Sequence, residues 1–271
     1  MFGVVFSWGN FQQLYLEDVY KGQTDEFRIA FVGTSANAML LSIGLFTTPI
    51  IQRIGYRATL AIGSILAPLG LILASFATQL WHIYLSQGIL YGIGAGLAFS
   101  SSVTLPSQWF VKNRALATGL AVSGSGIGGV CISPMSQSLI ANIGYRNALR
   151  TIGSMIFGLL CIAIALARPR YKPQPTFNRP WYKIIDTNLI TVRFSFMLVF
   201  CFFVPFGYVA AFFLTPAYAI KIGSSASTGS TLVSVMSGMN AVCRIMLGYL
   251  GDRYGRLNIL GICTLLSGKY Y

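Results

Sequence analysis

Charged residues in this 271-residue chain separate long stretches that contain none. Residues 29–52, 115–145, 194–220 and 222–243 hold no Asp, Glu, Lys or Arg, and 58–111 is equally free of them, with only His82 inside. About 20 apolar helical residues cross a hydrocarbon core of about 30 Å, so each stretch is long enough for a crossing. The 58–111 stretch is long enough for two, turned at Gln79-Leu80-Trp81-His82. Shorter uncharged runs at 1–16, 151–167 and 257–268 complete nine hydrophobic segments, numbered here as spans 1 to 9 in chain order. Lipid offers backbone groups no hydrogen-bond partner, so the expected form is helix and the expected class is an all-α polytopic membrane protein.

Composition agrees, with 9% charged and 55% hydrophobic residues, where a soluble domain carries roughly 25% charged. Five cysteines without a framework spacing exclude a disulfide scaffold. The net charge of +13 invites a nucleic-acid reading until the cations are placed. If span 1 ends outside, twelve lie inside: Arg53, Arg57, Lys112, Arg114, Arg168, Arg170, Lys172, Arg179, Lys183, Arg193, Arg253 and Arg256. Five lie outside, namely Lys21, Arg28, Arg146, Arg150 and Lys221. That asymmetry is the positive-inside bias, so the charge is read as topology and the partner as a lipid bilayer, with no nucleic acid. The plasma membrane is the default location, and a vacuolar membrane fits the same pattern.

Residues 168–193 contain Pro169, Pro173, Pro175 and Pro180 among six basic residues and read as a cytoplasmic tether. It divides a six-helix bundle at 1–167 from the start of a second bundle at 194–271. The first and last runs are short for a crossing, so both ends read as cut, with about nine of twelve spans present and further carboxyl-terminal spans expected. Arg53-Ile54-Gly55-Tyr56-Arg57 between spans 2 and 3 is echoed by Arg253-Tyr254-Gly255-Arg256 between spans 8 and 9, as duplication of a six-helix unit would leave.

Gly248-Tyr249-Leu250-Gly251-Asp252-Arg253-Tyr254-Gly255-Arg256 resembles the loop signature G-x-L-x-D-R-x-G-R of the major facilitator superfamily. The resemblance implies a gating role for Gly248, Asp252, Arg253, Gly255 and Arg256, with the aspartate meeting a helix amino end across the inner surface and parting from it as two bundles rock. Arg53 and Gly55 belong to the first-half copy, which has Gln52 in the acid's place. Further features are Ser86-Gln87-Gly88, Gln108-Trp109-Phe110, Arg114-Ala115-Leu116-Ala117-Thr118-Gly119 and Gly124-Ser125-Gly126-Ile127-Gly128-Gly129. Together they resemble the fungal monocarboxylate-permease-like members, a group that implies transport of a small solute without fixing which. Gly124, Gly126 and Gly129 formally match a dinucleotide fingerprint, but the next acid is Asp186, far past the expected position. They are read as helix-packing residues, as are Gly88, Gly92 and Gly96 at intervals of four on span 4.

Arg244 is the one basic residue no loop explains, lying beyond 222–243 and four residues before Gly248. An arginine within a span usually faces a water-filled cavity and serves function. Ser227, Ser230, Ser234, Ser237, Arg244 and Gly248 follow helical spacing and form one polar stripe, with Asn240 on the same side. Arginine presents a planar fork that grips a carboxylate through two hydrogen bonds, so Arg244, Asn240 and Ser237 are the candidate solute-binding set. In the monocarboxylate carriers that this chain resembles, an Asp precedes such an Arg by four residues and is tied to proton and anion binding. Asn240 stands there instead, and Gly9 stands near the carriers' basic residue on span 1. Asn10, Gln12 and Gln13 on span 1 are polar groups that either meet the solute or pack helices. No carboxylate lies inside a span, the nearest acids being Glu17 and Asp18, and His82 is read as part of an outer turn.

The expected function is therefore secondary transport of a small organic anion, monocarboxylate-like, with or without a proton. The alternatives are a transporter-like sensor or other non-transporting membrane protein, and an inactive truncated product. One histidine and no Ser-His-Asp set or metal-ligand cluster argue against an enzyme, and no cofactor is implied.

Overall fold

A computed structural model describes residues 1–20, 22, 24–171 and 191–268, and among these no strand forms. Span 1 comprises helices Phe2–Phe6 and Trp8–Leu14 and the π-helical turn Tyr15–Val19. Span 2 is Glu26–Ile54, with Glu26 in its first turn and Arg53 in its last, each complementing the helix dipole. Gly55, at φ 85°, reverses the chain into span 3, Tyr56–Ala74. Span 4 runs from Leu80 to Trp109 through Leu80–Ile83, the π-helical Tyr84–Leu90, Tyr91–Thr104 and Pro106–Trp109.

The expected turn at residues 79–82 shifts slightly. Leu80 already begins the helix, and His82 lies in its first turn, where Nδ1 accepts from the N–H groups of Thr78 and Gln79 at 3.4 Å. His82 is thus a helix-capping group.

The helix Arg114–Leu166 has 53 residues, about 80 Å if straight and far more than one bilayer crossing. Gly144, at φ 75° and ψ 160°, breaks it into spans 5 and 6. Span 7 is Val192–Lys221, span 8 is Ala226–Tyr254 and span 9 is Arg256–Gly268. Thr191 and Ser225 cap spans 7 and 8, accepting from the N–H groups of Phe194 and Thr228 at 3.4 and 3.3 Å. Five helices among the described residues are long and apolar enough to cross a membrane, and Phe194–Val204 and Arg256–Leu266 are shorter apolar helices. Large apolar side chains such as Phe202, Phe203 and Leu265 face outward, as expected where lipid replaces water.

Loops gather at two ends as alternate crossings require. At one end Arg57 Nε donates to Ala167 O at 2.7 Å and Trp109 Nε1 donates to Arg168 O at 3.0 Å, joining the ends of spans 3, 4 and 6. This is called the basic end. At the opposite end Arg150 Nε donates to Ser75 Oγ at 2.9 Å and its guanidinium lies over Phe76. Tyr84 OH there donates to Arg28 O. The expected tether begins in the described chain, but its residues 172–190, including Lys172, Pro173, Pro175, Arg179, Pro180 and Lys183, lie outside the described residues.

Span 4 packs on span 2 through the glycine row read from sequence. A Cβ on Gly88 would stand 2.6 Å from Ser35 Oγ, one on Gly92 2.7 Å from Ala36 O, and one on Gly96 2.6 Å from Leu40 O. Each approach needs the missing side chain.

Candidate functional site

Spans 5 and 8 form the seam between the first six spans and those that follow, and small residues on both sides make it close. Cβ atoms on Gly119 and Gly248 would stand 2.5 Å from Arg244 O and 2.8 Å from Ala115 O. One on Gly126 would collide with the backbone of Ser237 and stand 2.7 Å from Ala241 Cβ, and one on Gly129 would collide with the Ser237 side chain. Gly124 differs from expectation. A Cβ there would meet nothing within 4 Å, so in this conformation no neighbouring helix approaches it closely. Its place two residues before Gly126 turns it about 200° away from the seam.

Polar groups stitch the same seam. Ser133 Oγ on span 5 donates to Ser230 O on span 8 at 3.0 Å. From span 1, Asn10 Nδ2 donates to Ser133 O and Ser136 Oγ, each at 3.1 Å. Span 1 also meets span 7, where the Phe6 and Phe212 rings stack at 4.4 Å and Gly9 lies against Pro216.

Arg244 is half-buried on span 8, ten residues before Tyr254 and so about 15 Å inside the helix end. Its Nε donates to Asn240 Oδ1 at 2.6 Å. Among the described residues no carboxylate forms an ion pair with it, the recorded pair being Arg256 with Asp252. The serine stripe does not face a water-filled cavity here. Ser230 and Ser237 are buried, at 2% and 0% exposure, and pack on span 5. The hydroxyls of Ser230, Ser234 and Ser237 donate to Ser227 O, Ser230 O and Val233 O on their own helix. A helical hydroxyl readily bonds back to the preceding turn, and small side chains then let a neighbouring span close over the face. In this conformation Ser237 is therefore a packing residue, and Arg244 with Asn240 stands at the margin of the seam.

At the basic end Asp252 makes the contact that the loop signature implies. Its Oδ1 and Oδ2 accept the N–H groups of Ala115 and Leu116 at 3.0 and 2.8 Å. These are orphan donors in the first turn of the helix Arg114–Leu166, and a carboxylate there also meets the positive end of the helix dipole. Arg256 Nη2 adds a bond to Oδ1 at 3.2 Å. Arg253 is turned outward, its Nη1 donating to Tyr249 OH at 3.3 Å, and Gly255 at φ 94° makes the reversal. In the first-half copy Gly55 makes the same reversal, and Arg53 and Gln52 are exposed.

On span 1, Gln12 is buried and accepts from Trp8 Nε1 at 3.0 Å, while Gln13 is half-buried. In this conformation the side chains of Asn10 and Gln12 are buried and bonded to neighbouring groups. The nearby pair Tyr15 and Gln87, bonded at 3.1 Å and both buried, was not anticipated. The two positions are 72 residues apart and share no periodic signal; only the neighbourhood of Ser86-Gln87-Gly88 marked one of them. Of Glu17 and Asp18 the side chains lie outside the description. Two cavities of about 600 Å³ lie elsewhere, one at the opposite end beside Tyr20, Tyr145 and Arg146 and one at the basic end beside Trp109 and Arg168, and neither is lined by Arg244. Among the described residues no group of three His, Cys, Asp or Glu side chains could hold a metal.

The sequence model described as Major Facilitator Superfamily matches residues 1–269. The chain is 30% identical to the MFS-type transporter pynF of Aspergillus niger over 272 residues, covering 98% of this chain and 61% of that protein. It is 31% identical to the MFS-type transporter opdF of Penicillium oxalicum over 273 residues, covering 97% and 62%. It is 29% identical to monocarboxylate transporter 12 of Homo sapiens over 248 residues, covering 80% and 48%. The chain thus spans about three-fifths of the length of the first two relatives and about half of the third.

Proposed function

The chain belongs to the Major Facilitator Superfamily, a multi-pass membrane protein, and on that premise we propose that it carries a small organic anion by alternating access, with Arg244 as the anion-holding group. The observation that carries this reading is a guanidinium about 15 Å inside a span, bonded through Nε to Asn240 and without an ion-pair partner among the described residues. A buried cation is costly unless an anion or water meets it. A solute carboxylate would supply that partner through the fork that Nε leaves open. Similarity to a protein named monocarboxylate transporter 12 favours a monocarboxylate as the class.

In this reading the seam of spans 5 and 8 is shut at the basic end by Asp252, and its opening exposes the faces that carry Ser237 and Arg244. Asn240 orients the guanidinium and cannot carry a proton, so any co-transported proton travels on the weak acid itself or on a group outside the described residues. The membrane is the plasma membrane or the vacuolar membrane.

Uptake of labelled lactate, pyruvate and riboflavin in cells expressing the whole protein tests the proposal. Arg244→Gln is expected to lower uptake of the accepted anion on the order of a hundredfold, since it leaves a buried carboxylate without its charged partner. Arg244→Lys retains part of it, keeping the charge without the fork. Unchanged uptake of every accepted solute in Arg244→Gln contradicts the proposal.

A further inference from the structure

The cavity at the basic end, about 630 Å³, lies between the ends of spans 3, 4, 5 and 6 and plays no part in the solute path proposed above. Its walls are apolar, built by Leu60, Leu105, Phe110, Leu116, Leu120 and Leu166. Leu120 and Leu166 remain 60% and 74% exposed, so the cavity is a groove open along its flank. In a membrane-embedded bundle that flank meets acyl chains, which an apolar groove accepts without loss.

The rim has a different chemistry. Arg168 lines it directly, and Arg57 is held there by the bond from its Nε to Ala167 O. Arg170 lies over the Trp109 ring, and Lys112 and Arg114 flank the lining residue Asn113. All five cations are exposed. The acid that approaches this end among the described residues, Asp252, is bonded to Ala115, Leu116 and Arg256. Trp109, its indole N–H on Arg168 O, is of the residue type enriched where membrane proteins meet headgroups.

We infer that this groove is a binding site for an anionic phospholipid, one acyl chain lying along Leu120 and Leu166 and the phosphate resting on Arg168 and the neighbouring cations. The charge is what selects: a zwitterionic lipid fills the same apolar wall but offsets none of the five positive charges, whereas basic pockets between membrane helices on the cytoplasmic side favour acidic headgroups. The inference rests on membrane insertion alone and stands apart from the identity of the transported solute.

Native mass spectrometry of the purified full chain, given equal palmitoyl-oleoyl phosphatidylserine and phosphatidylcholine in detergent, tests it. The expected result is phosphatidylserine retained about tenfold over phosphatidylcholine. Arg168→Gln combined with Lys112→Gln lowers the ratio several-fold toward parity, the three remaining cations keeping part of it, and Lys221→Gln at the opposite end leaves the ratio unchanged. Ala121→Trp, which fills the groove from span 5, lowers retention of both lipids. Should that variant fail to elute as a folded monodisperse species, the double glutamine variant decides alone. Equal retention of the two lipids by the unaltered chain overturns the inference, as does a preference undiminished by the double substitution. Glycerophosphoserine, the headgroup without chains, is expected not to compete. Competition equal to that of the intact lipid would mark a free-phosphate site and overturn the assignment of the groove.

Discussion

Between spans 2 and 3 the chain reverses at Gly55, φ 85°, whose N–H donates to Ile51 O at 2.8 Å and whose carbonyl accepts from Thr59 at 3.1 Å. Between spans 8 and 9 it reverses at Gly255, φ 94°, with the matching bonds to Gly251 O at 3.1 Å and from Ile259 at 3.2 Å. An arginine stands two residues before each glycine. What differs is where each turn is tied. Asp252 crosses to the first turn of span 5 and joins two groups of spans. Gln52 is exposed, and the turn beside it is held by Arg57 to Ala167 O, inside its own bundle. The backbone turn is thus repeated, while among the described residues only the second turn reaches across to the other group of spans through a carboxylate on helix N–H groups, adding to the packed seam.

That contrast can be broken most strongly at Asp252. Asp252→Asn keeps one acceptor and loses the charge that matches the helix end, so the second turn becomes like the first. The transport rate in whole protein reconstituted in vesicles is expected to change on the order of tenfold, the scale of coupling free energies between moving parts, while thermal unfolding in detergent shifts little.

A smaller effect, of similar size at both turns, is expected from Gly55→Ala and Gly255→Ala, slightly greater at Gly255, where a Cβ would stand 3.3 Å from Asn258 Nδ2 while one on Gly55 would meet nothing within 4 Å. Each forces a Cβ into positive φ and is expected to cost roughly 1 kcal/mol, visible as similar losses in thermal stability. A clearly larger loss at Gly55 than at Gly255 would contradict this. The smallest effect is expected from Gln52→Asp, which restores the acid to the first turn where no helix amino end is bonded to position 52 among the described residues. Transport and stability should both stay within error, and a gain approaching the loss in Asp252→Asn would reveal a partner for that turn.

Much of this was legible in the chain because lipid imposes hard rules. Uncharged runs long enough to cross had to be helices, and Arg146, ending the 115–145 run, marks the reversal at Gly144 within two residues. Side-chain spacing was less informative. The period of Ser230, Ser234 and Ser237 correctly puts them on one face, yet periodicity names the residues that share a face and is silent about what lies opposite. Here Gly126, Gly129 and Ser133 lie opposite, so a face read as a vestibule is a packed seam. Gly124 meets no neighbour where Gly126 and Gly129 do, since a motif counted along the chain ignores the turn of the helix between its members. The hydrogen bond of Tyr15 to Gln87 and the bridge from Asn10 to span 5 join distant segments and leave no local trace.

In the proposed cycle Asp252 holds the seam shut over the span 8 face that carries Ser237 and Arg244, and thiol accessibility reads this directly. With Cys131, Cys161, Cys201, Cys243 and Cys263 replaced by serine, Ser237→Cys is to be exposed to a membrane-impermeant maleimide from the basic end, with and without Asp252→Asn. The expected result is slow labelling with Asp252 present and labelling at least several-fold faster in Asp252→Asn, slowed again by any anion that the uptake assay shows to be accepted. Equal labelling in the two backgrounds would contradict it.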